Sequence, residues 1–149
     1  MNQRTHIRAP GRRALSVTGA ALIAGASAMH AVWGTGSAWP ARDRRELADL
    51  VVGTQEFPDT SACFTVATLL AGAAAVVARG AGGPRGRASR ACIAGVFAIR
   101  GVAGLTGSTR WLVPWTPSDR FADWDRRYYG PLCVAIAALV AGDIPNGRR

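Results

Sequence analysis

A chain of 149 residues is at most one domain. Its hydrophobic share of 49% is ordinary, but the apolar residues stand in blocks split by polar segments, which is the pattern of membrane spans and not of a soluble core. A net charge of +9 would suit a nucleic-acid binder, yet the arginines lie between the apolar blocks and build no basic face, so no nucleic acid is expected.

Residues 1–13 are polar and basic. Pro10-Gly11 breaks any helix there, so a disordered tail is expected. Residues 14–33 then run for about 20 residues without charge apart from His30, long enough to cross a bilayer core of about 30 Å. A rival reading is a secretory signal. Arg12-Arg13, the apolar run and Ala26-Ser27-Ala28 fit an A-x-A cleavage site, but the run continues past Ala28 to Trp33. The segment 29–40 gathers His30, Trp33, Gly34, Gly36, Trp39 and Pro40, and it marks the outer end of this span.

Residues 34–60 form a polar loop. Within it, 41–52 places Leu47, Leu50 and Val51 on one side, as in a short surface helix. Pro58-Asp59-Thr60 is a helix start signal, and 61–78 is a second uncharged span. Residues 79–90 read as a Gly- and Arg-rich connector beside anionic lipid; the phosphate-loop pattern is absent. The third span is 91–109, interrupted by Arg100. A loop dense in Trp and Asp follows, then a fourth apolar stretch over 128–144, with Asp143 at the interface and a basic tail over 145–149. The expected fold is therefore all-α: an integral-membrane four-helix bundle over 14–144 with two polar outer loops.

Charge sets the orientation. Arg4, Arg8, Arg12, Arg13, Arg79, Arg85, Arg87, Arg90, Arg148 and Arg149 fall on one side, and fewer arginines fall in the loops opposite. Arginine excess marks the cytoplasmic side, so both termini are expected there. Trp33, Trp39, Trp111, Trp115, Trp124, Tyr128 and Tyr129 gather on the other side. All 18 basic residues are arginine in an Ala- and Gly-rich chain, which suggests a high-GC bacterial gene and hence a bacterial inner membrane. Small residues recur four apart (Ser16, Ala20, Ala24, Ala28; Ala67, Ala71, Ala75; Ala91, Gly95; Ala137, Ala141), consistent with close helix packing.

A small set of residues carries chemical interest. Arg100 lies about 9 residues into its span, roughly 14 Å deep, so it needs a partner or a wet cavity. The roles expected of it are a structural ion pair, hydrogen bonds to helix carbonyls, or an anchor for an anionic group of a ligand or lipid. His30 is a packing and hydrogen-bonding residue or a proton relay. Asp119, Asp123 and Asp125 precede the fourth span; one of them could fold down to meet Arg100 or His30, or all could serve as helix N-terminal charges. The candidate polar site is thus His30, Trp33, Arg100, Asp123 and Asp125. Cys63 and Cys133 fall at similar depth, which leaves a disulfide open, while Cys92 lies on the inner side. No CxxC and no Cys/His spacing occurs, so neither metal nor cofactor is expected.

His30-x-x-Trp33-Gly34-x-Gly36-x-x-Trp39-Pro40, then Arg100-Gly101-x-x-Gly104, then Phe121-x-x-x-Asp125 and Tyr129-Gly130-Pro131-Leu132-Cys133 together resemble a bacterial family of four-span integral membrane proteins, domain of unknown function 3995. The resemblance runs from about residue 15 to 142. It implies an uncleaved first span carrying His30 and Trp33, and it marks Arg100 and the acid before Tyr129. It implies no activity.

Three functional classes follow. The first is a non-catalytic bundle acting as a subunit, with membrane lipids around it and a homo-oligomer or protein partner compatible with it. The second is a protein that binds or transports a lipid-like or amphipathic anion through Arg100 and an aromatic rim. The third is a membrane enzyme using His30 as acid or base and Arg100 to stabilise an oxyanion.

Overall fold

The computed structural model describes residues 10–80 and 83–142. They fold as α1 (Pro10–Gly34), α2 (Arg44–Val51), α3 (Thr60–Arg79), α4 (Gly83–Thr106), α5 (Asp119–Trp124) and α6 (Gly130–Gly142). A 3-10 turn spans Ser108–Trp111, and a π-helical turn, Asp125–Tyr129, joins α5 to α6.

Local chemistry places each boundary. Helix α1 begins at Pro10, upstream of the expected start at 14. Proline opens the helix here instead of breaking it, because the first turn has no use for the missing N–H. The remaining tail, 1–9, lies outside the described residues, as does 143–149. Asp43 and Asp59 cap α2 and α3 by accepting from the backbone N–H of Glu46 and Ala62. Gly80 at φ 79° and Gly83 at φ 66° turn the chain from α3 into α4. Most of the expected connector over 79–90 is therefore the opening of α4, with Pro84 in its first turn.

The helices α1, α3 and α4 are each long and apolar enough to cross a membrane. The expected fourth span, 128–144, is built differently. Its regular part is the 13-residue α6, about 20 Å long, extended at its start by the π-helical turn and α5.

Around the bundle, α1 packs between α3 and α6, and α6 between α1 and α4, while α3 meets α4 only lightly. Neighbours run antiparallel. At one end Gly34 abuts the Phe64 ring, and Gly130 abuts the backbone of Leu105. At the other, Gly19 meets Leu139 and Val140, and Gly142 meets Leu15. The core between these ends is Ala20, Ile23, Ala74, Val77, Ala94, Ile136 and Val140. Leu22, Leu69, Val96, Ile99, Val102 and Leu132 point outward from the bundle.

The buried face does not follow the four-residue series of small residues. Ser16 and Ala20 are buried, but Ala24 and Ala28 are exposed, as are Ala71, Ala91 and Ala141. A step of four overshoots a 3.6-residue turn by about 40°, so such a series leaves any straight contact within a few steps. The buried positions keep to one face by steps of four, seven and three: Cys63, Ala67, Ala74 and Val77 on α3, and Arg90, Ala94, Gly101 and Gly104 on α4.

The two polar loops form one cap. Arg120 reaches Glu46 (3.1 Å) and Asp49 (3.5 Å), Ser118 N–H donates to Gly53 (3.0 Å), and Trp115 Nε1 donates to Val52 (3.1 Å). Leu47, Ala48 and Phe121 are buried beneath these contacts. Gly53, at φ 80°, sits so close to Pro117 that an added Cβ would lie 2.9 Å from its side chain.

Candidate functional site

Arg100 and Asp125 meet across the α4–α6 contact. Arg100 Nη1 lies 2.8 Å from Asp125 Oδ1 and donates to Oδ2 at 3.1 Å. Thr109 Oγ1 donates to the same Oδ2 at 2.5 Å. The Asp125 side chain is 2% exposed and that of Arg100 32%. Helix α4 ends at Thr106, so Arg100 is six residues, about 9 Å, from its C-terminal end.

Glycines let the carboxylate come this close. A Cβ on Gly104 would lie 2.7 Å from Asp125 Oδ1, and one on Gly101 would lie 2.8 Å from the backbone N of Val134. Gly130 completes the crossing, with Leu105 N 2.9 Å and Gly101 O 3.1 Å from its Cβ position. The π-helical turn supplies the extra residue that turns Asp125 inward while Tyr129 Oη reaches Leu50 O (3.2 Å) under the cap.

His30 and Trp33 belong to a different cleft. His30 Nδ1 donates to Ala26 O one turn back (2.8 Å), and its ring meets Trp33 edge-on at 5.0 Å. Trp33 Nε1 donates to Trp39 O (2.8 Å), which folds the 34–40 segment back over the helix end. Arg44 stacks on Phe57 at 4.6 Å and donates to Trp33 O (3.2 Å). The cleft holds about 150 Å³ between His30, Trp33, Phe57, Pro58 and Cys63. Asp123 is exposed and lines a third, surface depression with Arg120 and Arg127. Of the five candidate residues, the structure therefore joins Arg100 to Asp125 and His30 to Trp33, in separate places, and leaves Asp123 outside both.

Outside the spans, two carboxylates are held below their ordinary pKa. The Arg42 backbone N–H and then the Arg120 guanidinium act on Glu46. The Ala62 N–H and the Ser61 hydroxyl act on Asp59.

Cys63, Cys92 and Cys133 are all free thiols, so no disulfide joins Cys63 to Cys133. The two lie on α3 and α6, which stand diagonally across the bundle with α1 and α4 between them. Among the described residues no group of three or more His, Cys, Asp or Glu is placed to hold a metal ion.

The main polar residue missing from the sequence-derived set is Arg90. It is 0% exposed, in the N-terminal third of α4. Its Nη1 donates to Val77 O (2.6 Å), and its Nη2 donates to Ser16 Oγ (3.1 Å) and Val140 O (3.4 Å). Val77 and Val140 lie in the last turns of α3 and α6, and Val77 O also accepts the Gly80 N–H (3.2 Å) that ends α3. One guanidinium thus closes two helix C-termini and reaches a third helix. The connector reading hid it: assigning 79–90 to a loop made Arg90 one more surface charge. The signal available was Arg90, Ala94, Phe97, Gly101 at steps of four, three and four.

An all-α chain with three helices of span length, apolar side chains facing outward and a charged cap at one end is a protein built to cross a membrane. Residues 23–140 match the family described as protein of unknown function DUF3995, and the chain belongs to that family. No curated protein matches it significantly, and neither does any solved structure.

Proposed function

We propose that the chain crosses the bacterial inner membrane four times with both termini cytoplasmic, and acts there as a non-catalytic bundle, a subunit or interaction partner. Three spans follow from helix length alone; the fourth is α6. It starts beside Leu105 at the outer end of α4 and finishes with Gly142 beside Leu15 at the inner end of α1. A helix that returns to the level of Leu15 brings the chain back to the side where it started. The cleavage reading of α1 is disfavoured on packing, since loss of everything before Met29 would remove Ser16, Ala20 and Ile23 from the core.

The observation that carries the non-catalytic reading is the enclosure of Asp125. Its carboxylate is 2% exposed and is occupied by Arg100 and Thr109. The enzyme reading needs His30 and Arg100 in one cavity, and they line separate ones. The test is complementation of a deletion strain. His30→Ala and Arg100→Gln are expected to restore the wild-type phenotype in proportion to the folded protein in the membrane. A variant that is folded and abundant yet fails to complement would contradict the reading.

A further inference from the structure

The loosest contact in the bundle, between α3 and α4, leaves an apolar cleft of about 300 Å³. Leu70 and Ala73 of α3 face Ile93 and Phe97 of α4 across it, the outward-pointing Leu69 and Val96 form its open rim, and Arg100 stands at one end. From Cys92 to Arg100 the cleft follows α4 for eight residues, about 12 Å, parallel to the direction of lipid chains. The Arg100 guanidinium is only partly used. Nη1 serves Asp125, while among the described residues Nε and Nη2 donate no hydrogen bond, and the side chain is 32% exposed.

We propose that this cleft holds one acyl chain of an anionic phospholipid, with the lipid phosphate on the open side of Arg100. Charge complementarity selects that occupant. The spare Nε and Nη2 donors of Arg100, beside the mouth of an apolar channel, match a phosphate whose hydrocarbon tail enters that channel, and Arg–phosphate pairing is strong where water is scarce. The volume sits at the lower bound of ordinary ligand sites, which suits a single chain and not a whole lipid. The polarity also fits: the cleft runs inward from Arg100, so the headgroup faces the capped side and the tail points to the bilayer centre. A second copy of the chain seated there would have to bury the spare donors of Arg100 against apolar side chains, at a cost. The inference rests on the membrane-spanning reading above and goes beyond it by naming a lipid class and its seat.

The experiment is native mass spectrometry of delipidated protein in detergent, titrated with phosphatidylglycerol or phosphatidylcholine. One arginine beside an anionic headgroup corresponds to about a five-fold preference for the anionic lipid. Wild type is expected to show that preference, and Arg100→Gln to lose it. Because Arg100→Gln also breaks the contact to Asp125, Ala73→Phe provides the second arm. It fills the cleft, leaves the ion pair intact, and is expected to abolish the retained lipid. Equal retention of both lipids, retention unchanged by Ala73→Phe, or a dimer in place of lipid adducts would each overturn the proposal. Recovery of the folded chain from the soluble fraction would overturn the membrane reading as well, whereas membrane-embedded protein without lipid preference would overturn this inference alone.

Discussion

Replacing Arg90 by methionine tests whether one side chain closes three helices. Methionine keeps the unbranched stem and loses every donor. The carbonyls of Val77 and Val140 then lose the guanidinium that now reaches them, and Val77 O keeps the Gly80 N–H. A hydrogen bond from a charged donor contributes about 1.5–3 kcal/mol in water-soluble proteins. In membranes the unfolded reference finds partners too, so about 1 kcal/mol for each carbonyl is the better figure. Removing a cation from two helix C-termini adds about 1 kcal/mol, giving a total near 3 kcal/mol. The opposing effect is relief of charge burial, which can make apolar replacement of a buried ion pair neutral. It loses here because the Val77 and Val140 acceptors are backbone carbonyls and stay in place. At about 2–4 °C per kcal/mol for a chain of this size, the midpoint should fall by roughly 9 °C in detergent thermal melts. Arg87→Met, at an exposed position on the same helix, should stay within about 0.5 kcal/mol of wild type. Equal stability of Arg90→Met and wild type, or equal loss in Arg87→Met, would refute the reasoning.

Other outcomes follow from the outer half. Gly104→Ala should cost about 1–3 kcal/mol, because its Cβ would meet Asp125 Oδ1 at 2.7 Å and the Gly130 backbone at 3.0 Å; Gly95→Ala, with nothing within 4 Å, should be neutral or stabilising in the same melts. A double-mutant cycle of Arg100→Gln and Asp125→Asn should give a coupling of about 1 kcal/mol, the range measured for polar contacts between membrane helices, discounted because Arg100 is a third exposed; additive effects would show that the pair does not interact. Glu46 has a folded pKa below its unfolded value, so its contribution is complete above the ordinary glutamate value of about 4.3 and is lost as pH falls through the folded value. Protease resistance of the cap should therefore weaken in acid, and Glu46→Gln should flatten that limb of the pH profile; an unchanged limb would separate Glu46 from cap stability.

The elements legible in the sequence are those whose signals are local. The charge-free runs gave α1 and α3, and Pro58-Asp59-Thr60 gave the cap of α3 where Asp59 now accepts from Ala62. Arg100 had to find a partner because of its cost in an apolar run, and three aspartates offered one. The choice of Asp125 depended on something periodicity does not carry, a π-helical turn that rotates the chain by one residue ahead of Gly130. The meeting of the two outer loops was illegible for a similar reason. Arg120 and Glu46 are far apart in sequence, and exposed charges carry no pattern that pairs them. The His30 expectation failed to join Arg100 because depth in the bilayer is readable from sequence, while the angular position of each helix is not. Gly80 and Gly83, which read as flexible loop, are the turn residues that allow α4 to start early enough to bury Arg90.

The central claim is a fourth crossing by a 13-residue helix, and topology mapping tests it most directly. Reporter fusions at both termini, with single cysteines placed in α2, in the 107–118 segment and at the C-terminus, report the side of each segment by labelling with an impermeant maleimide. The account predicts cytoplasmic signals from both termini and external labelling of α2 and 107–118. A C-terminus on the external side would leave three crossings, and α6 would then be part of the outer cap and not of the bundle.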